Sequence, residues 1–194
     1  MFNRSIILAS KSPRRREILK NAGYVFTVME ADTEENVPDL LSPSEAVIEI
    51  ALQKALYVKE KLSTNNSIII AADTMVFKNG ILMGKPKDSE DAYYMLKQLS
   101  GDWHEVYSGY CIMSDEQKFT GCEITSVKFR TVLDKEINEY IRSGEPFDKA
   151  GAYGVQDRAS TFVERIEGDF FNVMGLPICR ISQILNTIAS EIYT

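Results

Sequence analysis

Ser5-Ile6-Ile7-Leu8-Ala9-Ser10-Lys11-Ser12-Pro13-Arg14-Arg15-Arg16 decides the fold. Its first five residues read as a buried strand, and Ser10-Lys11-Ser12-Pro13 reads as a turn. Pro13 to Ala22 then predicts a helix with Gly23 just past its end, where glycine commonly stops one. Strand, tight turn and helix in that order open an α/β arrangement.

Working outward, Tyr24 to Met29 predicts a second strand, followed by an acidic, proline-containing loop from Ala31 to Leu41. Ser42-Pro43-Ser44-Glu45 forms a capping box, with Ser42 as N-cap, Pro43 at the first helical position and Glu45 reaching back. The helix behind it is expected to run to about Leu62, with Ala46, Val47, Ile50, Ala51 and Val58 on its apolar stripe. Ile68 to Phe77 reads as a strand, Asn79-Gly80 as a two-residue hairpin turn, and Ile81-Leu82-Met83 as the returning strand. Asp88 or Ser89 caps a helix that ends near Gly101. Two long strands follow, Glu105 to Met113 and Phe119 to Val132, and then a helix from Asp134 to Ser143. A glycine-rich segment from Ala150 to Gly154, a strand near Phe162 to Ile166 and a last helix to about Ile192 complete the chain. Helices alternate with strands but hairpins are mixed in, so the expectation is an α/β fold on a mixed, twisted sheet.

The 194 residues fit one domain, or two closely packed lobes, and 44% hydrophobic content is enough for a real core. The N-terminus has no charged region followed by a long apolar one, and the run Ile68 to Ala72 is far short of the roughly 20 residues that span a bilayer. A cytoplasmic protein without a membrane partner is therefore expected. Cys111, Cys122 and Cys179 lack metal or disulfide spacing and read as core thiols, and the single His104 reads as structural or solvated. A net charge of −6 weighs against nucleic acid as a partner, because phosphate affinity needs a basic surface.

Basic charge is instead concentrated after the first strand. A helix N-terminus carries free N–H groups and partial positive charge, which makes it an anion site. Arginines in a first turn oppose that dipole at about 0.3–1 kcal/mol each. Arg14-Arg15-Arg16 therefore point to a phosphate chain met by Ser10, Ser12, Arg14 and Arg15, with Arg16 turned to solvent; the plainer alternative is a Ser12-capped helix with a solvated basic patch. Asp73 interrupts an apolar strand, so it binds a cation, meets a basic partner or lies at an exposed sheet end. The hairpin returns Gly84-Lys85-Pro86 beside Asp73-Thr74, either as a functional pair or as a structural Asp–Lys stitch. Lys54 lies on the apolar stripe of its helix, where it snorkels or points at phosphate. Glu34 and Glu35 lie in a loop that suits a metal ligand or simple solvation, and Gln156, after flexible glycines, has an amide that suits the edge of a base.

Taken together, Ser10-Lys11-Ser12-Pro13-Arg14-Arg15, Ala72-Asp73-Thr74, Gly84-Lys85-Pro86 and Gly144-Glu145-Pro146 through Gln156 resemble the Maf-like nucleotide pyrophosphatases over nearly the whole chain, 1–194, as a single such domain. The resemblance implies two lobes around a central cleft, related in shape to inosine-triphosphate pyrophosphatases. It also implies hydrolysis of a nucleoside triphosphate to monophosphate and pyrophosphate with a divalent cation, Mg²⁺ or Mn²⁺. By position, Asp73 corresponds to the catalytic proton acceptor, Ser10, Arg14, Arg15, Lys54 and Lys85 to phosphate-binding residues, and Glu35 to an acidic residue near the metal. Arg14, Thr74 and Gln156 match the branch that takes dTTP and UTP. A mechanism follows in which Asp73, with the metal, activates water for attack at the α-phosphorus, and Lys85 with Arg14 and Arg15 stabilises the departing pyrophosphate. The competing reading is a nucleotide-responsive binding protein in cell division or shape control, with hydrolysis secondary. The sequence does not set the assembly, a homodimer being one option.

Overall fold

The first strand organises the sheet by pairing on both sides in the same direction. In the computed structural model, which describes residues 4–33, 41–63, 66–115 and 117–190, β1 (Ser5–Ala9) lies parallel to β2 (Phe26–Val28) and to β3 (Ser67–Lys78). Parallel neighbours need crossover connections. These are α1 (Pro13–Asn21), between β1 and β2, and α2 (Pro43–Lys61), between β2 and β3. Then come β4 (Ile81–Met83), α3 (Ser89–Leu99), β5 (Trp103–Met113), β6 (Lys118–Phe129), α4 (Asp134–Arg142), β7 (Val163–Glu167), α5 (Phe170–Val173) and α6 (Ile178–Ser190). The seven strands run in the order β2-β1-β3-β5-β6-β7, with β4 antiparallel to β3 and β7 antiparallel to β6. The predicted α/β fold on a mixed sheet is the observed one. None of the described helices is long and apolar enough to cross a membrane.

The chain divides into two compact units. Unit 1 comprises the described residues up to Asp73, Ser108–Glu123 and those from Gly175 on; unit 2 comprises Thr74–Tyr107 and Ile124–Met174.

In unit 1, pleat alternation puts Ile7 and Ala9 of β1 on the same face as Ile69 and Ala71 of β3. These four pack against Ala51, Ala55 and Val58 of α2, with Ala31 and with Cys111 and Met113 of β5 in the same cluster. Burying a side chain such as isoleucine stabilises by about 1.5–3 kcal/mol, so this row holds α2 on the sheet. The helix comes so close that a Cβ on Gly109 of β5 would sit 2.2 Å from the Val47 carbonyl carbon. Its start follows the predicted capping box: Ser42 Oγ accepts from the Glu45 N–H at 3.4 Å, and the Glu45 carboxylate accepts from the Ser42 N–H at 2.9 Å.

In unit 2 the hairpin takes the predicted register, with Lys78 opposite Ile81, because Asn79 (φ 52°) and Gly80 (φ 78°) both adopt the left-handed conformation of a tight primed turn. The ladder stops at Met83, short of the Thr74–Lys85 pairing that its continuation predicts. Unit 2 is centred on an edge-to-face aromatic group. The His104 ring lies 5.1 Å from Phe129 and 5.3 Å from Tyr153, and its Nε2 shares a 2.8 Å hydrogen bond with Tyr153 Oη. The histidine is thus structural, and burial pushes its pKa down to about 3, so it is neutral in the folded protein. Arg130 and Glu136 form a two-pronged pair at 2.7 and 3.1 Å that holds the start of α4 and lowers the Glu136 pKa to about 2.

Two expectations are corrected. Only Cys111 is a buried thiol: Cys122 is half-buried and Cys179 is exposed, because the first turn of α6 turns position 179 to solvent. The segment after α4 forms two short 3-10 turns, Glu145–Asp148 and Ala150–Ala152, with a third at Arg158–Phe162. The strand expected to reach Val132 ends at Phe129, where Arg130 turns to meet Phe162 O and Glu136.

Candidate active site

The site in unit 1 grows from the register of two parallel strands. Ala9, the last residue of β1, pairs with Ala71 of β3, so the chain turns into α1 at the same level where β3 continues to Asp73. β2 and β3 flank β1 on opposite sides, which makes this the switch point of the sheet. Open α/β sheets bind their ligands outside the carboxyl ends of the strands at such a point.

What the chain places there is a serine-capped, arginine-rich helix end. Ser12 caps α1, its Oγ accepting from the Arg15 N–H at 3.4 Å, and the Ser12 N–H donates to Ser10 Oγ at 3.1 Å. Ser10 is buried, and its Oγ also accepts from an Arg15 terminal nitrogen at 3.4 Å. Arg15 Nε donates to the Gly175 carbonyl at 2.7 Å, which fixes the plane of the guanidinium. The first turn holds no acidic residue, so nothing within it offsets three arginines against the helix dipole. Arg14 is half-buried in that turn. Arg16 does not point freely to solvent as expected: it pairs with Glu30 at 2.9 Å. Lys11 also leaves the group, for an exposed pair with Asp32 at 2.7 Å that holds the Asp32 carboxyl below its ordinary range.

Asp73 continues the Ile69–Ala71 row by one pleat step, toward the face that α2 covers. Lys54 lies on the stripe of α2 between Ala51 and Ala55, and the two side chains meet, Lys54 Nζ donating to Asp73 Oδ1 at 2.7 Å. Both are mostly buried, at 13% and 12% side-chain exposure. Of the readings open for Lys54 and Asp73, the structure selects a Lys54–Asp73 pair; among the described residues Asp73 forms no ion pair with Lys85.

Unit 2 carries the remaining residues. Thr74 follows Asp73 on the opposite face of β3 and is half-buried, while Lys85 and Gln156 are exposed. The Gly151 N–H donates to the Gly84 carbonyl at 3.0 Å, which ties the Lys85 segment to the Gln156 segment. Gly151 (φ 67°) lies against Val76, and a Cβ there would come within 3.0 Å of its side chain. Sequence reasoning passed over Lys149, buried in this segment; its one signal was a lysine amid glycines beside Asp148.

Glu34 and Glu35 lie outside the described residues. Among those described, no three His, Cys, Asp or Glu side chains gather as a metal cage. A carboxylate such as Asp73 is nonetheless a hard oxygen donor of the kind that Mg²⁺ shares with substrate phosphates and water.

Comparison with known proteins identifies the family. Residues 5–188 match the family model described as Maf-like protein, and the chain belongs to that family. It is 49% identical over 184 residues to a protein of Alkaliphilus oremlandii named dTTP/UTP pyrophosphatase, which covers 94% of this chain and 95% of that one. It is 47% identical to a protein of that name from Clostridium perfringens (93% and 95% covered) and 46% identical to one from Aquifex aeolicus (94% and 95% covered). A looser likeness, at 15% identity and a TM-score of 0.44, links 64% of the chain to 71% of the Ham1 protein of Staphylococcus aureus.

Proposed function

We propose that the chain is a nucleoside triphosphate pyrophosphatase that hydrolyses dTTP and UTP to the monophosphate and pyrophosphate. The observation that carries this reading is the coincidence, at the switch point of the sheet, of a basic, serine-capped helix end and a mostly buried carboxylate held by an ammonium. The helix end suits a phosphate chain, and a pure binding site would not need the carboxylate. The names of the relatives supply the pyrimidine substrates.

In the mechanism, Ser10, Ser12, Arg14 and Arg15 with the α1 N–H groups bind phosphate oxygens. Lys54 donates to phosphate and keeps Asp73 oriented. Asp73, whose Oδ2 takes no part in the Lys54 bond, accepts the proton of a water that attacks the α-phosphorus. The bond from the α-phosphorus to the bridging oxygen breaks, and that oxygen leaves with pyrophosphate. Lys85 is assigned to neutralising the charge that develops on this leaving group, and Thr74 and Gln156 to selecting the base, roles that come from family position. Asp73, with Glu35 by family position, would hold a Mg²⁺ or Mn²⁺ ion brought with the triphosphate, and such an ion would supply polarisation of the phosphate and water oxygens. The protein is read as cytoplasmic, with neither nucleic acid nor membrane as a partner.

The test is incubation with Mg²⁺ or Mn²⁺ and a panel of nucleoside triphosphates, with products resolved. Monophosphate and pyrophosphate from dTTP and UTP, absent with Asp73→Asn, are expected. Tight nucleotide binding without turnover would instead favour a nucleotide-responsive binding protein, and turnover confined to purine nucleotides would remove the substrate assignment.

A further inference from the structure

Lys149 is 7% exposed, an unusual place for an ammonium group, and it is surrounded by three oxygens. Its Nζ donates to the Glu145 carbonyl at 2.6 Å and to Asp148 Oδ1 at 2.8 Å, and lies 3.5 Å from Asp157 Oδ2. Two of its three protons are thus bonded within the segment and the ammonium faces Asp157 as an ion pair, so its charge is directed to its own segment. All three oxygens come from the segment that Lys149 itself belongs to. The ammonium therefore closes Glu145–Asp157 into a ring instead of bolting it to the core.

Gly154 makes the closure sterically feasible. A Cβ at that position would sit 2.3 Å from Asp157 Oδ2 and 2.8 Å from Lys149 Cε, so any side chain there would displace both partners. Glu145 reinforces the ring from outside, accepting from the Arg158 N–H at 3.2 Å and pairing with the Arg158 guanidinium at 3.3 Å. Gln156 is the exposed residue between buried Val155 and ion-paired Asp157. Its side chain is thus presented from backbone clamped on either side of it.

We propose that Lys149 is a positioning residue for base selection: by holding Asp157, and with it the Gln156 backbone, it fixes the amide that meets the pyrimidine ring. This rests on the base-reading role given to Gln156 above. A residue acting this way alters discrimination between bases, whereas a merely structural one alters folding and affects all substrates alike.

The experiment measures kcat and KM for dTTP and dGTP with wild type, Gln156→Ala, Lys149→Met and the double variant, alongside their thermal midpoints. Lys149→Met should raise the dTTP KM about tenfold with little change in kcat, as expected for a misplaced contact group. It should also lower the dTTP-to-dGTP ratio of kcat/KM toward that of Gln156→Ala, and the double variant should match Gln156→Ala alone. Lys149→Arg, which keeps the charge, should recover part of the ratio. Equal losses on both nucleotides with the ratio intact, or a double variant whose losses multiply, would overturn the proposal. If Lys149→Met does not fold, Asp157→Asn must reproduce the loss of selectivity, and its failure to do so is equally fatal. A ratio moved by Gln156→Ala but not by Lys149→Met removes this proposal alone; a ratio that Gln156→Ala leaves unmoved removes the base-reading role beneath it as well.

Discussion

Two lysine–aspartate pairs, one in each unit, show how similar contacts serve different ends. In unit 1, Lys54 and Asp73 are buried to the same degree, at 13% and 12% side-chain exposure. In unit 2, Lys78 is 8% exposed while its partner Asp102 is 60% exposed, and Lys78 also donates to the Trp103 carbonyl at 2.6 Å. The second pair is a buried ammonium steadied by a main-chain oxygen and an outer carboxylate, which is a fastening. The first is a mostly buried carboxylate that accepts a hydrogen bond from a side-chain ammonium, an arrangement that suits the proton transfer proposed for it. What separates the two is the state of the carboxylate, not the shortness of the contact.

The largest effect should come from the first pair. Asp73→Asn is expected to lower kcat on dTTP about 10³-fold, followed by pyrophosphate release, because the proposed general base is lost while shape is kept. Turnover near wild type in a folded variant would make the two pairs equivalent. Lys54→Met should lower kcat/KM by roughly 10²-fold, the scale of one lost donor to a developing charge. For Lys78→Met the comparison reverses: denaturant titration should show a loss of about 1–3 kcal/mol, since the Trp103 carbonyl loses its donor, while kcat/KM stays near wild type.

An effect that depends on pH sharpens the contrast from within unit 2. His104 has its pKa lowered to about 3 by burial, with the nearby Lys78 charge adding to it. The unfolded chain, with an ordinary imidazole, takes up a proton below about pH 6.5 that the folded chain refuses. Stability from this group is therefore complete above that pH and falls as the pH drops toward 3, by up to about 1.4 kcal/mol per pH unit. As His104 is the only histidine, His104→Gln should flatten the stability profile between pH 6 and pH 4, and an unchanged slope would remove this account. The smallest effect is expected from Glu136→Gln. Its carboxylate is held ionised by Arg130, so its contribution is present above the ordinary carboxyl pKa and is lost as the pH falls through about 2. The variant's thermal midpoint should lie slightly below wild type at pH 7 and converge with it in acid.

Local signals were legible in the sequence where one short stretch contains both partners. The Ser42–Glu45 box and the Lys78–Ile81 hairpin register are of this kind, since cap and turn chemistry act within a few residues. Contacts made by packing were not. Lys54 sits on an apolar stripe, and nothing along the chain says that α2 lies over the Asp73 face of β3; that depends on which way the crossover helix folds back. Arg15 looked like a phosphate ligand alone, yet its Nε is committed to Gly175, 160 positions away. Lys149 gives no such signal, because a lysine beside an aspartate reads as a solvated pair until the glycine that makes room for it is in place.

The clasp around Trp103 also gives the protein a built-in optical reporter. Its indole is the only one in the chain, and its backbone is held by Lys78 at the carbonyl and by Asp102 at the N–H. Tryptophan emission during denaturation therefore follows unit 2 alone, whereas far-ultraviolet dichroism follows the helices of both units. Superimposable curves from the two signals would mean that the units melt as one, and an emission change that comes first would give unit 2 a stability of its own.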